Sequence, residues 1–111
     1  MTLLTLDASD LLSRLRDGSV SAAALMEATL ERIETVNPRL NAIVDLRDRA
    51  ALMAEAEAAG RAQARGALHG LPIAVKDLAD VKGLRTSSGS PLLREFFAAD
   101  DVPDVARMRA A

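Results

Sequence analysis

Lys76, Asp77, the hydroxyls of Thr86, Ser87, Ser88 and Ser90, and His69 are the side chains in this chain that could do chemistry, and they fall close together. Lys76 follows an apolar, partly β-branched run, residues 71–75, opened by Gly70 and Pro72. Such a run reads as a short buried strand with a lysine at its end. The chain has twelve arginines and two lysines, and both lysines, Lys76 and Lys82, lie in this stretch. Arginine keeps its proton in a protein, whereas a desolvated lysine can release one and work as an amine base. From the residues alone Lys76 has two readings, an amine base or a snorkelling surface lysine at a strand end. Asp77 can orient that lysine or cap a turn, and Lys82 reads as a solvated charge in the loop beyond. His69 sits beside a turn with no second metal ligand near it, which favours a structural histidine over a metal or catalytic one.

The elements that must hold these residues can be read from caps and periodicity. Asp7 to Asp10 offer caps ahead of Leu11, Leu12 and Leu15, with Gly18 as a stop, which predicts a short first helix. Ser21 caps a second helix with an apolar stripe of Ala22, Leu25, Met26, Thr29, Ile33 and Val36, expected to end at Asn37-Pro38. Asp45 is the expected cap of a third helix running toward Gly60 and on to about Arg65. Gly83 and Gly89 mark turns in a loop-like stretch, and the residues from Pro91 to Phe97 read either as a turn of helix or as irregular packing. Asp101-Val102-Pro103-Asp104 then opens a last helix.

Composition narrows the function classes. With 111 residues the chain has room for one small domain, and with alanine dominating its apolar half and Phe96 and Phe97 as its only aromatic residues the core is thin. A formal charge of −2 with interspersed signs lacks the basic patch that nucleic acid or an anionic membrane requires. The absence of cysteine removes disulfides and thiolate metal sites and fits a cytoplasmic protein. The apolar run near Met1 is too short for a signal peptide or a membrane span.

Residues 70–90 resemble the lysine motif of the amidase signature family. The motif is Gly-x-Pro, a short apolar strand, Lys-Asp, then Gly-x-x-Thr and Gly-Ser, met here by Gly70, Pro72, Ile73 to Val75, Lys76-Asp77, Gly83, Thr86 and Gly89-Ser90. Upstream, Glu34 to Pro38 followed by Leu40-Asn41-Ala42 also looks like the family's amino-terminal arm. The resemblance implies an α/β fold: amino-terminal helices plus the first strands of a large mixed sheet flanked by helices, incomplete in these residues. It implies the amino-terminal portion of a single amidase domain, with a helical arm over about 1–66, the lysine-motif strand and loop over about 70–90, and the start of the next helix over about 103–111.

The same resemblance implies that Lys76 is the catalytic lysine of a Ser-cisSer-Lys apparatus that hydrolyses a carboxamide to carboxylate and ammonia. Asp77, Gly83, Thr86, Gly89 and Ser90 would support the site. Ser87, Ser88 and Ser90 belong to the lysine motif's own tail. The family's two catalytic serines lie farther downstream and have no counterpart in the 111 residues, so this polypeptide is expected to be inactive by itself. The expected partners are a small-molecule amide and the remainder of an amidase chain, with no cofactor, metal, nucleic acid or membrane. Two other readings stay open: the glutamine-hydrolysing subunit of a tRNA-dependent amidotransferase, and a non-enzymatic helical module whose apolar stripes would make a homodimer.

Overall fold

The computed structural model describes residues 2–63 and 65–111 and divides the chain into two compact units, Met1–Pro72 and Ile73–Ala111. In the first unit a 3-10 turn at Leu3–Thr5 leads into three helices, α1 (Ala8–Asp17), α2 (Ala22–Leu40) and α3 (Arg49–Arg61). The expected caps start the first two. The Asp7 carboxylate accepts from Asp10 N at 2.9 Å and Ser21 Oγ from Ala24 N at 3.0 Å, each satisfying an amide that the helix leaves without a partner. Gly18 closes α1 at φ 79°, a left-handed conformation that suits glycine.

Two boundaries differ from expectation. Helix α2 runs through Pro38 to Leu40 and turns at Asn41, φ 49°, whose amide returns to Asn37 O at 2.7 Å. The bias that proline places on the preceding residue is overridden because Asn37 has a stronger use within the helix. Its side-chain amide donates to Ile43 O at 2.9 Å and accepts from Ile43 N at 2.8 Å, clamping the outgoing chain. Helix α3 is capped by Asp48, which accepts from Ala51 N at 3.0 Å, and not by Asp45. It ends at Arg61, short of Arg65. There the Arg65 guanidinium donates to Ala62 O at 3.1 Å and Gly60 O at 3.2 Å, and His69 Nε2 lies 2.7 Å from Ala59 O. A carbonyl only accepts, so His69 carries its proton on Nε2 and serves as a fastener of the helix end, in keeping with the structural role expected of it.

The core of this unit is Leu11, Leu15, Val20, Ala22, Leu25 and Ala56, with Leu71 packed on its edge. Helices α2 and α3 pack on each other, and Arg49 at the start of α3 reaches both Glu27 and Glu34 of α2. These ion pairs are largely exposed, so they set register more than they add stability.

The second unit holds a 3-10 turn at Pro91–Leu93 and helix α4 (Pro103–Ala110), with loops between. No strand forms among the described residues. Residues 71–75, expected as a buried strand, make no ladder; Ile73 and Val75 are exposed. A strand is stabilised through hydrogen bonds to a neighbour, and none flanks this run in the described residues, so the sheet expected of an α/β class is not present here. The nearest thing to sheet pairing is an antiparallel bridge between Arg85 and Phe97, flanked by Thr86 N to Phe96 O at 3.1 Å and Ala98 N to Leu84 O at 3.0 Å. Val81, Thr86, Ala98 and Val105 are buried in this unit, while Leu92, Phe96 and Phe97 are exposed. Among the described residues no helix is long and apolar enough to cross a membrane.

Gly70 shows why the chain needs a glycine at this point. It has φ 83°, and a Cβ built on it would lie 3.3 Å from Ala22 Cβ and 3.5 Å from a Leu15 methyl. Gly70→Ala should therefore lower stability by about 1–2 kcal/mol from backbone handedness alone. Gly60→Ala, inside α3 with open space around the new methyl, should raise it by about 0.5–1 kcal/mol. Urea unfolding followed by helical circular dichroism checks both; equal effects at the two positions would contradict the packing described.

Candidate active site

Lys76 and every residue expected to support it lie in the second unit. Lys76 is exposed, and its carbonyl accepts from Ala79 N at 3.0 Å, which makes residues 76–79 a turn. The buried setting that an amine base requires is not formed around it by these residues. Among the described residues Lys76 makes no ion pair.

The next residue is tied down. One Asp77 carboxylate oxygen accepts from Ser87 N at 2.7 Å, the other accepts the Ser87 hydroxyl, and the Asp77 carbonyl accepts from Ser88 N at 3.0 Å. Ser88 (φ 52°) and Gly89 (φ 72°) are consecutive left-handed residues that bend the loop back on Asp77: the Ser88 amide meets the Asp77 carbonyl and the Gly89 amide donates to Ser87 Oγ at 3.3 Å. The hydrogen bonds from the Ser87 hydroxyl and the Ser87 amide hold the carboxyl below its ordinary pKa of 3.8, with smaller contributions from the amides of Gly89 and Ser88 and partial opposition from desolvation. Asp77 thus fastens a turn, one of its two expected uses; its partner is Ser87, a pairing that the sequence reading does not make. An acid followed ten residues later by Ser-Ser-Gly is the signal that was available.

The remaining support residues shape the same loop. Gly83 is left-handed, φ 76°, and donates to Ala98 O at 2.8 Å. Ser90 Oγ accepts from Leu92 N at 3.3 Å and opens the Pro91–Leu93 turn. Thr86 is 4% exposed and its Oγ1 is buried without a hydrogen-bond partner among the described residues. Lys82 is exposed, as expected, but its amide donates to Asp101 at 2.7 Å, and the Arg109 guanidinium meets the same carboxylate at 2.9 and 3.3 Å. The Arg109 hydrogen bond, then the Lys82 amide, hold the Asp101 carboxyl below its ordinary value. No group of three or more His, Cys, Asp or Glu side chains suited to a metal ion occurs among the described residues.

What this loop belongs to follows from comparison with known proteins. Residues 24–111 match the amidase family, and the chain belongs to that family. It is 38% identical to an indoleacetamide hydrolase of Bradyrhizobium diazoefficiens over 94% of this chain and 20% of that protein. It is 39% identical to one of the subunits of the glutamyl-tRNA(Gln) amidotransferase of Chromohalobacter salexigens over 93% of this chain and 22% of that protein. A solved chain, described in a study of a vestigial protein complex and the evolutionary origins of an s-triazine catabolic enzyme, superposes with a TM-score of 0.83 at 30% identity, covering 95% of this chain and 24% of that one. The chain spans about a fifth of the length of the curated relatives it matches.

The lowered Asp77 carboxyl has a pH consequence. A group whose folded-state pKa lies below its unfolded value contributes stability above the unfolded value and loses it as pH falls through the folded one. Acidification below about pH 3.8 should therefore open the Asp77–Ser87 contact, seen as loss of hydrogen-exchange protection at the Ser87 amide. Asp77→Asn should remove most of that pH dependence; an unchanged acid limb in the variant would refute the assignment.

The orphaned Thr86 hydroxyl makes a second prediction. Thr86→Val exchanges an unsatisfied buried hydroxyl for a methyl and should leave stability unchanged or raise it by about 1 kcal/mol. A loss of that size on urea unfolding would show that the hydroxyl has a partner.

Proposed function

We propose that these residues are the amino-terminal portion of an amidase that hydrolyses a carboxamide to carboxylate and ammonia, with Lys76 as the proton-transferring lysine of a Ser-cisSer-Lys mechanism. The observation that carries the reading is the order and spacing of Gly70, Pro72, Lys76, Asp77, Gly83, Thr86, Gly89 and Ser90 in a chain of the amidase family. In this reading neutral Lys76 accepts a proton relayed through one serine, a second serine attacks the amide carbon, and backbone N–H groups stabilise the oxyanion. Collapse of the tetrahedral adduct breaks the C–N bond as the proton returns from Lys76 through the first serine to the departing ammonia, and water then hydrolyses the acyl-serine ester to the carboxylate and the free serine. Burial of the amine by further parts of the domain supplies the low-dielectric surroundings that such a base needs. The helices and loops of residues 1–111 then pack beside the mixed sheet of an α/β domain, which acts on a small molecule in the cytoplasm and uses no cofactor. Without the two serines, residues 1–111 do not turn over substrate.

The likeness to a subunit of an amidotransferase supports a second reading, in which the substrate amide is glutamine and the ammonia passes to a tRNA-bound acyl group with partner subunits and ATP. Ammonia release separates the two. The full-length protein acting alone on acetamide or indoleacetamide is the hydrolase; release from glutamine only with partner subunits present is the amidotransferase. In either case Lys76→Ala should lower kcat by about 10²- to 10⁴-fold without loss of helical circular dichroism. Undiminished turnover in that variant would sink the assignment of Lys76.

A further inference from the structure

We propose that Asp77 and Ser87 act as a pair of positioning residues for Lys76, so that the Ser87 hydroxyl is part of the catalytic apparatus without touching substrate. The inference rests on the reading of Lys76 as the proton-transferring group and extends it to residues that reading does not name as a pair. Three observations carry it.

The backbone is fixed on both sides of the Lys76–Asp77 peptide. The Lys76 carbonyl is engaged by Ala79 N at 3.0 Å and the Asp77 carbonyl by Ser88 N at 3.0 Å, while the Asp77 side chain is held by both the amide and the hydroxyl of Ser87. A long, flexible side chain such as lysine can be aimed only if its Cα–Cβ bond is aimed first, and these contacts set that direction.

Both Asp77 oxygens are occupied by Ser87. A carboxylate adjacent to a lysine is otherwise a ready ion-pair partner for its side chain and would fold it back onto the loop. Here the hydroxyl and amide of Ser87 take up the acceptor capacity facing the loop, and among the described residues Lys76 makes no ion pair. The Asp77 carboxylate is thus committed to the loop and not to an ion pair with its neighbour.

The turn that presents these donors is maintained against its own backbone preference. Ser88 carries a side chain at φ 52°, where L-residues are disfavoured, and it is followed by a second left-handed residue, Gly89. Gly89 N in turn donates to Ser87 Oγ at 3.3 Å, so the hydroxyl is oriented as well as placed. Strain of this kind persists where surrounding contacts over-determine it, and here those contacts converge on the residue after the lysine.

The test uses the full-length protein, with acetamide and indoleacetamide as probes and ammonia release as the readout. Ser87→Ala should lower kcat about ten- to a hundredfold with KM within about twofold of the parent, because misplacement of a catalytic group affects the chemical step and not substrate affinity. Ser87→Thr, which keeps the hydroxyl, should restore most of the rate. Asp77→Asn combined with Ser87→Ala should be no slower than the slower single variant, since the two act as one unit.

A Ser87→Ala enzyme with unchanged kcat and a lowered melting temperature would overturn the proposal, because the contact would then be structural only. So would additive losses in the double variant. If Ser87→Ala does not accumulate as folded protein, Asp77→Glu, which keeps the charge and moves the acceptor by one methylene, is read in the same way. Lys76→Ala separates the two layers of inference: an active Lys76→Ala enzyme removes the assignment of Lys76 itself, whereas an inactive one beside fully active Ser87 variants removes only the positioning role.

Discussion

Among the described residues Leu25 and Leu30, both 1% exposed, are the largest side chains buried completely, and the scarcity of others like them is the constraint on which the structure turns. A chain rich in alanine gains little from burial per residue, because a methyl removes little surface from water. Helix packing alone then leaves the connecting segments poorly determined. The structure answers with polar fasteners at nearly every junction. Asp7, Ser21 and Asp48 start the helices of the first unit, Asn37 clamps the segment leaving α2, and Arg65 and His69 cover the carbonyls at the end of α3.

The same device builds the loop that carries the lysine. In a unit with few buried apolar side chains, Asp77 and Asp101 each gather donors from residues distant in sequence: Ser87 for the first, Lys82 and Arg109 for the second. Each carboxylate replaces the packing that a larger core would supply, and each is drawn below its ordinary pKa by the donors it collects. The loop is thus ordered by charge-assisted hydrogen bonds, which are directional, and not by hydrophobic contact, which is not. Directional contacts of this kind fix the backbone beneath Lys76 as packing in a small core would not.

Local signals in the sequence are legible where the physics is local. A helix cap involves residues three apart, so Asp7 and Ser21 can be read without the fold, as can Pro103 at the first position of α4. Errors arise where two local signals compete. Asp45 and Asp48 are both competent caps, and the chain leaving α2, held at Ile43 by Asn37 in a contact six residues long that cap statistics do not contain, enters α3 at Asp48. Pro38 reads as a stop because its effect on the preceding residue is local, yet the helix continues to Asn41, whose left-handed conformation provides a better end.

Strand formation is different in kind, and so is the site. The alternation and branching at residues 71–75 report a willingness to pair, but pairing needs a second segment, and no hydrogen-bonding neighbour stands beside this run in the described residues. The motif from Gly70 to Ser90 is legible as an ordered set of residue types, which is enough to identify a family. Its internal wiring is not, because the Asp77–Ser87 contact closes a loop of ten residues and depends on left-handed backbone at Ser88, a conformation that serine does not advertise. The glycines are readable as turns, but their separate uses are not: Gly70 is required by both handedness and the nearness of Ala22, whereas Gly89 is required by handedness alone. A motif read as a string therefore understates its own specificity. Its spacing records which backbone angles and which long-range hydrogen bonds the lysine loop must keep, and the residues between the recognised letters, Ser87 foremost, carry part of that requirement.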